Sequence, residues 1–457
     1  MSVPTPDVVA TPADNAEASD DGPPTPNSVL DDDATEAFSN LRDERHFEET
    51  KRAKLVMGPP LGGEGAGKSN ETVIPGQELA ENEAILQAFP DEAEDLELTH
   101  MRIRTLRGLG IERFRAVERI SLRQNLLSSL SYVPLPPTAP QDAGHTLNGA
   151  EEVKDVVPAA GGPTDEVDED EGDDEDAKKK EEEFEWSEHH TSPSAEVIWP
   201  LRGLEKLEEL DLYDNRLKSV KGLEGLVAIK SLDLSFNLIR SIRDLDDESP
   251  DSPFAYPQLD HLYLIQNKLS KIEGVRHRTG LDYLELGGNR IRTIENLPIS
   301  ATLRSLYLGK NKITKMEGLE GLTGLRTLSI QSNRITKIEG LDSLVALEEL
   351  YLSHNGLTEL GGLEKNVNLT TLDIANNKIQ KVDLNALSSL TLLEEFWANN
   401  NEIDHLPILS PSTHPALETL YLEGNPIEKM LATAYRRKIH LEMPQLKQID
   451  AVFVKQS

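Results

Sequence analysis

The chain has 457 residues, 81 Asp and Glu against 47 Lys and Arg, a formal charge of −34 and no cysteine. The missing cysteine excludes disulfides, thiolate zinc sites and a cysteine nucleophile. Met1-Ser2-Val3-Pro4-Thr5-Pro6 forms no apolar signal region and no stretch approaches 18 apolar residues, so a soluble intracellular protein is expected, and the N-x-[ST] sequons at Asn70 and Asn368 are read as coincidental.

Residues 1–94 are rich in Pro, Asp, Glu, Ser and Thr, a composition that buries too little apolar surface to fold. They are expected to be a disordered N-terminal region with at most a short helix near Glu81 to Phe89. Thr5, Thr11 and Thr25 each precede a proline and are candidate phosphorylation sites, and Lys51-Arg52-Ala53-Lys54 is a weak match to a nuclear-import signal. Gly62-Gly63-Glu64-Gly65-Ala66-Gly67-Lys68-Ser69 matches the phosphate-binding loop G-x-x-x-x-G-K-[ST] letter for letter. That loop works only between a buried strand and a helix whose N-terminus faces the phosphates. Here Gly58-Pro59-Pro60 precedes it and Pro75 follows, so it is read as a flexible linker.

From about Leu96 a second pattern takes over. Asn267, Asn289, Asn311, Asn333, Asn355 and Asn377 stand 22 residues apart, each in the frame L-x-x-L-x-L-x-x-N-x-[IL], as in Leu303, Leu306, Leu308, Asn311 and Ile313. This is the signature of a leucine-rich repeat, one short strand and one return segment per turn. Asn125, Asn215, Asn237, Asn401 and Asn425 extend the series, and Leu96, Leu98 and Ile103 fit a fragment with Met101 in the asparagine's place. The expected fold is therefore an α/β solenoid with a parallel sheet on its concave face. Its parts are an N-terminal cap and first repeats over 95–130, further repeats over 197–427 and a C-terminal cap over 428–457. The leucines point inward. The asparagines are expected to satisfy buried backbone groups, each worth about 1–3 kcal/mol if left unpaired, and Gly222, Gly274, Gly318 and Gly340 to form turns.

Between these parts, 131–196 is a long insertion, and a smaller one lies around Asp246 to Pro253. From Asp165 to Glu188 there are 15 acidic residues and 3 lysines, a low-complexity tract expected to be a solvated, disordered linker. Asp168 and Asp170 begin a calcium-loop spacing, but Gly172 comes one place early and Lys179 stands where the chelating Glu belongs. No other histidine or carboxylate pattern has metal-ligand or acid–base spacing. A binding protein with no catalytic residue, metal or cofactor is expected.

The x of each central L-x-L lies on the concave face: Asp211, Asp233, Tyr263, Glu285, Tyr307, Ser329, Tyr351, Asp373, Trp397 and Tyr421. Aromatic and acidic residues dominate this column, no basic residue enters it, and rings exposed there would be suited to an interface. Glu209, His261, Tyr283, Glu349 and Glu395 flank it. Such a groove is expected to select a folded partner with Lys or Arg on a convex surface.

Several stretches resemble a known family: Leu284-Glu285-Leu286-Gly287-Gly288-Asn289-Arg290-Ile291-Arg292, Glu349-Leu350-Tyr351-Leu352-Ser353-His354-Asn355-Gly356, Glu394-Glu395-Phe396-Trp397, and the terminal Tyr435-Arg436-Arg437-Lys438 and Gln448-Ile449-Asp450-Ala451. They are similar to the leucine-rich-repeat regulatory subunits of protein phosphatase 1, the regulatory subunit 7 family. The resemblance implies a non-catalytic subunit that binds the type 1 serine/threonine phosphatase catalytic subunit. The contact residues it implies are Asp233, Tyr263, Glu285, Tyr307, Asp373, Glu395, Trp397 and Tyr421. It also implies a small inhibitory subunit as a further partner, roles in phosphatase maturation and chromosome segregation, and a place in nucleus and cytoplasm. The chain is expected to be a monomer before it forms a complex, with no nucleic-acid or membrane partner. A terminal helix is expected to set Leu431, Tyr435 and Ile439 over the last repeat. The competing reading, an acidic nuclear leucine-rich-repeat scaffold or histone chaperone, predicts a short array followed by a C-terminal acidic tail; here the array is long and the tract internal.

Overall fold

A computed structural model describes residues 53–54, 82–87, 89–132, 197–245, 256–405 and 409–454, all within the compact unit Lys51–Ser457. The glycine-rich loop at Gly62–Ser69, the Thr-Pro sites, Asn70, the acidic tract and the segment from Asp246 to Pro253 lie outside the described residues.

Every L-x-x-L-x-L frame gives a three-residue strand centred on its middle leucine, such as Ser305–Tyr307 around Leu306. That central residue is buried and its neighbours face outward, because side chains alternate along a strand. The strands lie side by side in register as one parallel sheet running in chain order from Ala53–Lys54 to Gln448–Ile449, and Val452–Phe453 closes it as the antiparallel fifteenth strand. Behind the sheet, the frame leucines and the Ile or Leu two places after each asparagine merge into one continuous apolar core. Glu359–Leu360 and Lys381–Val382 pair as a separate small sheet in the return segments.

The asparagines bind successive turns together. Asn311 donates through Nδ2 to the carbonyls of Leu286 in the preceding turn and Leu308 in its own, both at 3.0 Å, and accepts the Ile291 N–H at 3.0 Å. The residue before each asparagine is left-handed, as at Lys310 (φ 52°), Ser332 (φ 54°) and His354 (φ 56°). That conformation costs roughly 1–2 kcal/mol for a non-glycine residue. The asparagine bonds that follow help to offset it, and glycine fills the position only at Gly288 and Gly424 among the described turns. Gly274 is different: at φ 76° an added Cβ would run into the Ile242 carbonyl.

The long insertion leaves the stack intact. Tyr132 and Ile198 form an antiparallel bridge at its base, and Asn215 accepts the Leu127 N–H at 3.0 Å as if the two turns were consecutive in sequence. At the C-terminal end the single expected helix is two, Pro426–Leu431 and Tyr435–Glu442, joined by the 3-10 turn Ala432–Ala434, because Ala432 leaves the helical region at φ 41°. Tyr435 and Ile439 are buried on the last repeat and Leu431 packs at its margin. Before the first repeat, residues 82–85 form a helical turn.

Candidate functional site

Strand register turns the sequence column into a physical one. Asp233 pairs with Tyr263, Tyr263 with Glu285 and Glu285 with Tyr307, rung by rung. Asp373 pairs with Trp397 and Trp397 with Tyr421 in the same way, and Glu395 sits at the other end of the Trp397 strand on the same face. Ser329 and Tyr351 fill the two rungs between these groups. At about 4.8 Å per strand, the ten rungs from Asp211 to Tyr421 span on the order of 45 Å.

The face is less exposed than the sequence suggests. Asp373 is 2% exposed, Asp233 3%, Glu285 7% and Tyr263 8%, and the remaining rings are half-buried. The rings pack on one another. Tyr283 lies 4.9 Å from Tyr263, 5.2 Å from Tyr307 and 5.8 Å from His261 between centroids, which makes this flanking residue the hub of one cluster. Trp397 and Tyr421 meet edge to face at 5.9 Å in a second cluster. Burial pushes the Tyr307 hydroxyl up to about 12, with Glu349 and Glu285 adding to it, so this hydroxyl stays a neutral donor at physiological pH.

Its carboxylates divide into two kinds. Asp211, Asp233 and Asp373 each accept the backbone N–H two residues on, at 2.9, 2.9 and 3.0 Å, and so help to turn the chain out of the strand. Asp373 also accepts Gln331 Nε2 at 3.1 Å across two repeats. Burial still raises its carboxyl above the usual range, against the hydrogen bonds that lower it. The glutamates instead meet side-chain hydroxyls or neighbouring charge. Glu285 accepts the Tyr283 hydroxyl at 3.0 Å, Glu349 the Tyr351 hydroxyl at 3.3 Å, and Glu395 is raised by burial and then by Glu394 and Glu349. Trp397 Nε1 is buried with no hydrogen-bond partner among the described residues.

Sequence reasoning missed Gln331 and Gln448, which donate to Asp373 and to the Tyr421 hydroxyl. Gln331 lies just past its strand, where the frame gives no signal, whereas Gln448 continues the flanking column of Glu395 and Thr419 into the cap strand Gln448–Ile449, beyond the last asparagine-marked repeat. Among the described residues no group of three or more His, Cys, Asp or Glu is placed to hold a metal ion.

Comparison with known proteins agrees with the repeat architecture. A family model described as leucine-rich repeat matches residues 261–374, a model of two leucine-rich-repeat copies matches 205–247, and a further leucine-rich-repeat model matches 365–388. Protein phosphatase 1 regulatory subunit SDS22 of Schizosaccharomyces pombe is 42% identical over 73 residues, 16% of this chain and 22% of that protein. Protein phosphatase 1 regulatory subunit 7 of Xenopus tropicalis is 49% identical over 63 residues, 14% of this chain and 15% of that protein. The aligned stretches thus span about a fifth or less of these relatives' length. Among solved structures, an internalin of Listeria monocytogenes aligns with a TM-score of 0.49 at 18% identity, over 83% of this chain and 95% of that one.

Proposed function

We infer that this leucine-rich-repeat chain is a non-catalytic regulatory subunit of protein phosphatase 1, gripping the catalytic subunit with its concave face through Asp233, Tyr263, Glu285, Tyr307, Asp373, Glu395, Trp397 and Tyr421. The observation that carries the reading is the in-register column of rings and carboxylates with no basic residue on any rung. Two further facts support it: the matched relatives are named protein phosphatase 1 regulatory subunits, and the rings are already packed in place.

Prepacked rings lose little rotamer freedom on binding, so more of the contact energy remains as affinity. A Lys or Arg set against Glu395 would relieve the repulsion from Glu394 and Glu349. In this reading the chain controls the activity, maturation or targeting of the phosphatase in nucleus and cytoplasm. A small inhibitory subunit is a third component, and chromosome segregation is one process served.

Calorimetric titration of purified phosphatase catalytic subunit into the full chain tests this. Tight binding is expected. The triple variant Glu395→Ala, Trp397→Ala, Tyr421→Ala should weaken it by at least about 2 kcal/mol, the scale of interface hot spots, while circular dichroism stays unchanged. A well-folded wild-type chain that fails to bind the phosphatase sinks the proposal.

A further inference from the structure

We propose that the edge of the sheet where the strands end is a second docking surface, for an extended Asp- and Glu-rich polypeptide, separate from the concave face. The ladder that carries it lies just past the asparagines. From Asn267 to Asn333 the residue after each asparagine is Lys268, Arg290, Lys312 and Arg334, and Arg292 adds a fifth cation two places further on. Over residues 216–380, neither the first nor the third position after any repeat asparagine holds a carboxylate, in a chain whose net charge is −34.

Backbone hydrogen bonds fix these rungs side by side. Arg290 N–H donates to Leu269, Lys312 N–H to Ile291 and Arg334 N–H to Ile313, each at 2.8 Å. Like charges on neighbouring rungs about 4.8 Å apart repel, so this column works against the fold. The opposite edge avoids the problem with complementary neighbours: Lys230–Glu208 at 2.7 Å, Arg304–Asp282 at 3.2 Å and Arg326–Glu348 at 2.7 Å. Lysines at the fourth position are likewise neutralised, Lys315 by Glu317 at 3.1 Å and Lys337 by Glu339 at 3.8 Å. Lys268, Arg290, Arg292, Lys312 and Arg334 make no ion pair or side-chain hydrogen bond among the described residues.

A straight row of cations matches an extended acidic peptide, which rises about 3.3 Å per residue and can bring carboxylates to successive rungs. A single-stranded nucleic acid would want aromatic platforms for its bases, and neither position offers an aromatic ring. The surface does not depend on the phosphatase reading and is tested without phosphatase.

Fluorescence anisotropy of a labelled oligoglutamate peptide is followed with the full chain, the ladder variant Arg290→Gln, Lys312→Gln, Arg334→Gln, and the control Lys206→Gln, Lys365→Gln, Lys429→Gln. The two triples change net charge equally, so only position distinguishes them. Binding by the wild type at low salt is expected, weakened at least about tenfold in the ladder variant and no more than about twofold in the control. Circular dichroism checks that both variants fold. The proposal is overturned if the wild type does not bind, if both triples lose binding equally, or if an oligouridylate of equal charge binds more tightly. It is also overturned if carbodiimide cross-linking finds the ladder lysines joined to residues 165–188, of the same or a second copy, with the peptide excluded.

Discussion

Asp373 carries two demands at once. Its carboxylate receives the Ala375 N–H at 3.0 Å and Gln331 Nε2 at 3.1 Å, yet at 2% exposure burial dominates and raises its proton affinity above the ordinary range. A carboxyl with a raised folded-state value holds its proton more tightly folded than unfolded. Its contribution to stability is therefore fully present below the unfolded value and is lost as pH rises through the folded one. Asp373→Asn keeps an oxygen for the Ala375 N–H and removes the titration. We expect the variant's unfolding midpoint to gain on the wild type's as pH rises above about 4, the ordinary aspartate value, read by thermal melts at successive pH values. Equal pH slopes for the two chains would contradict this account. The ring hub Tyr283 teaches a related lesson: its place on a flanking position was legible, but its contacts with Tyr263, Tyr307 and His261 arise only when three strands lie in register.

At the scale of elements, the C-terminal cap offers an aspartate side chain where earlier turns offer a strand carbonyl, such as the Ser329 carbonyl that accepts the Leu308 N–H. Asp450 Oδ1 accepts the Leu422 N–H at 2.9 Å and the Glu423 N–H at 3.0 Å, and the Tyr435 hydroxyl approaches it at 3.3 Å. One buried carboxylate thus ties the last full repeat to the helix Tyr435–Glu442. Asp450→Ala leaves those donors unpaired, at about 1–3 kcal/mol each. Hydrogen exchange should then quicken over Thr419–Phe453 and remain unchanged around Ser305–Tyr307; uniform quickening along the chain would refute a local role. The helix pair itself was half legible. The spacing of Tyr435 and Ile439 announced the buried face, whereas the break at Ala432 and the strands that follow the helices reflect the geometry of closing an open sheet edge.

Across the whole molecule, stability is passed from neighbour to neighbour, so the position of a lesion decides its reach. Asn311 stands mid-array and bonds both to the preceding turn and to its own. Asn311→Ala removes the bonds donated to Leu286, Leu308 and Gly309 and the acceptor for Ile291, and should lower stability by at least about 2 kcal/mol. Because every later turn stacks on this one, the denaturant midpoint should fall for both halves, or the single transition should split in two. A fall confined to one end would argue against nearest-neighbour coupling here. Charge is distributed at the same scale: acidic groups and rings line the outward strand positions, while cations without ion pairs among the described residues follow the edge where the strands end.

By itself the sequence determined the repeat, its period, the inward leucines, the role of the asparagines and the membership of the concave column. Each of these follows from a local frame repeated until stacking is the only way to bury it. Tertiary structure decided how buried that column is, which rings touch, that Gln331 reaches Asp373 across two repeats, and that cations from successive turns are left side by side without partners. Those properties depend on the distance between residues about 22 or more apart in sequence, which strand register fixes and no local pattern states.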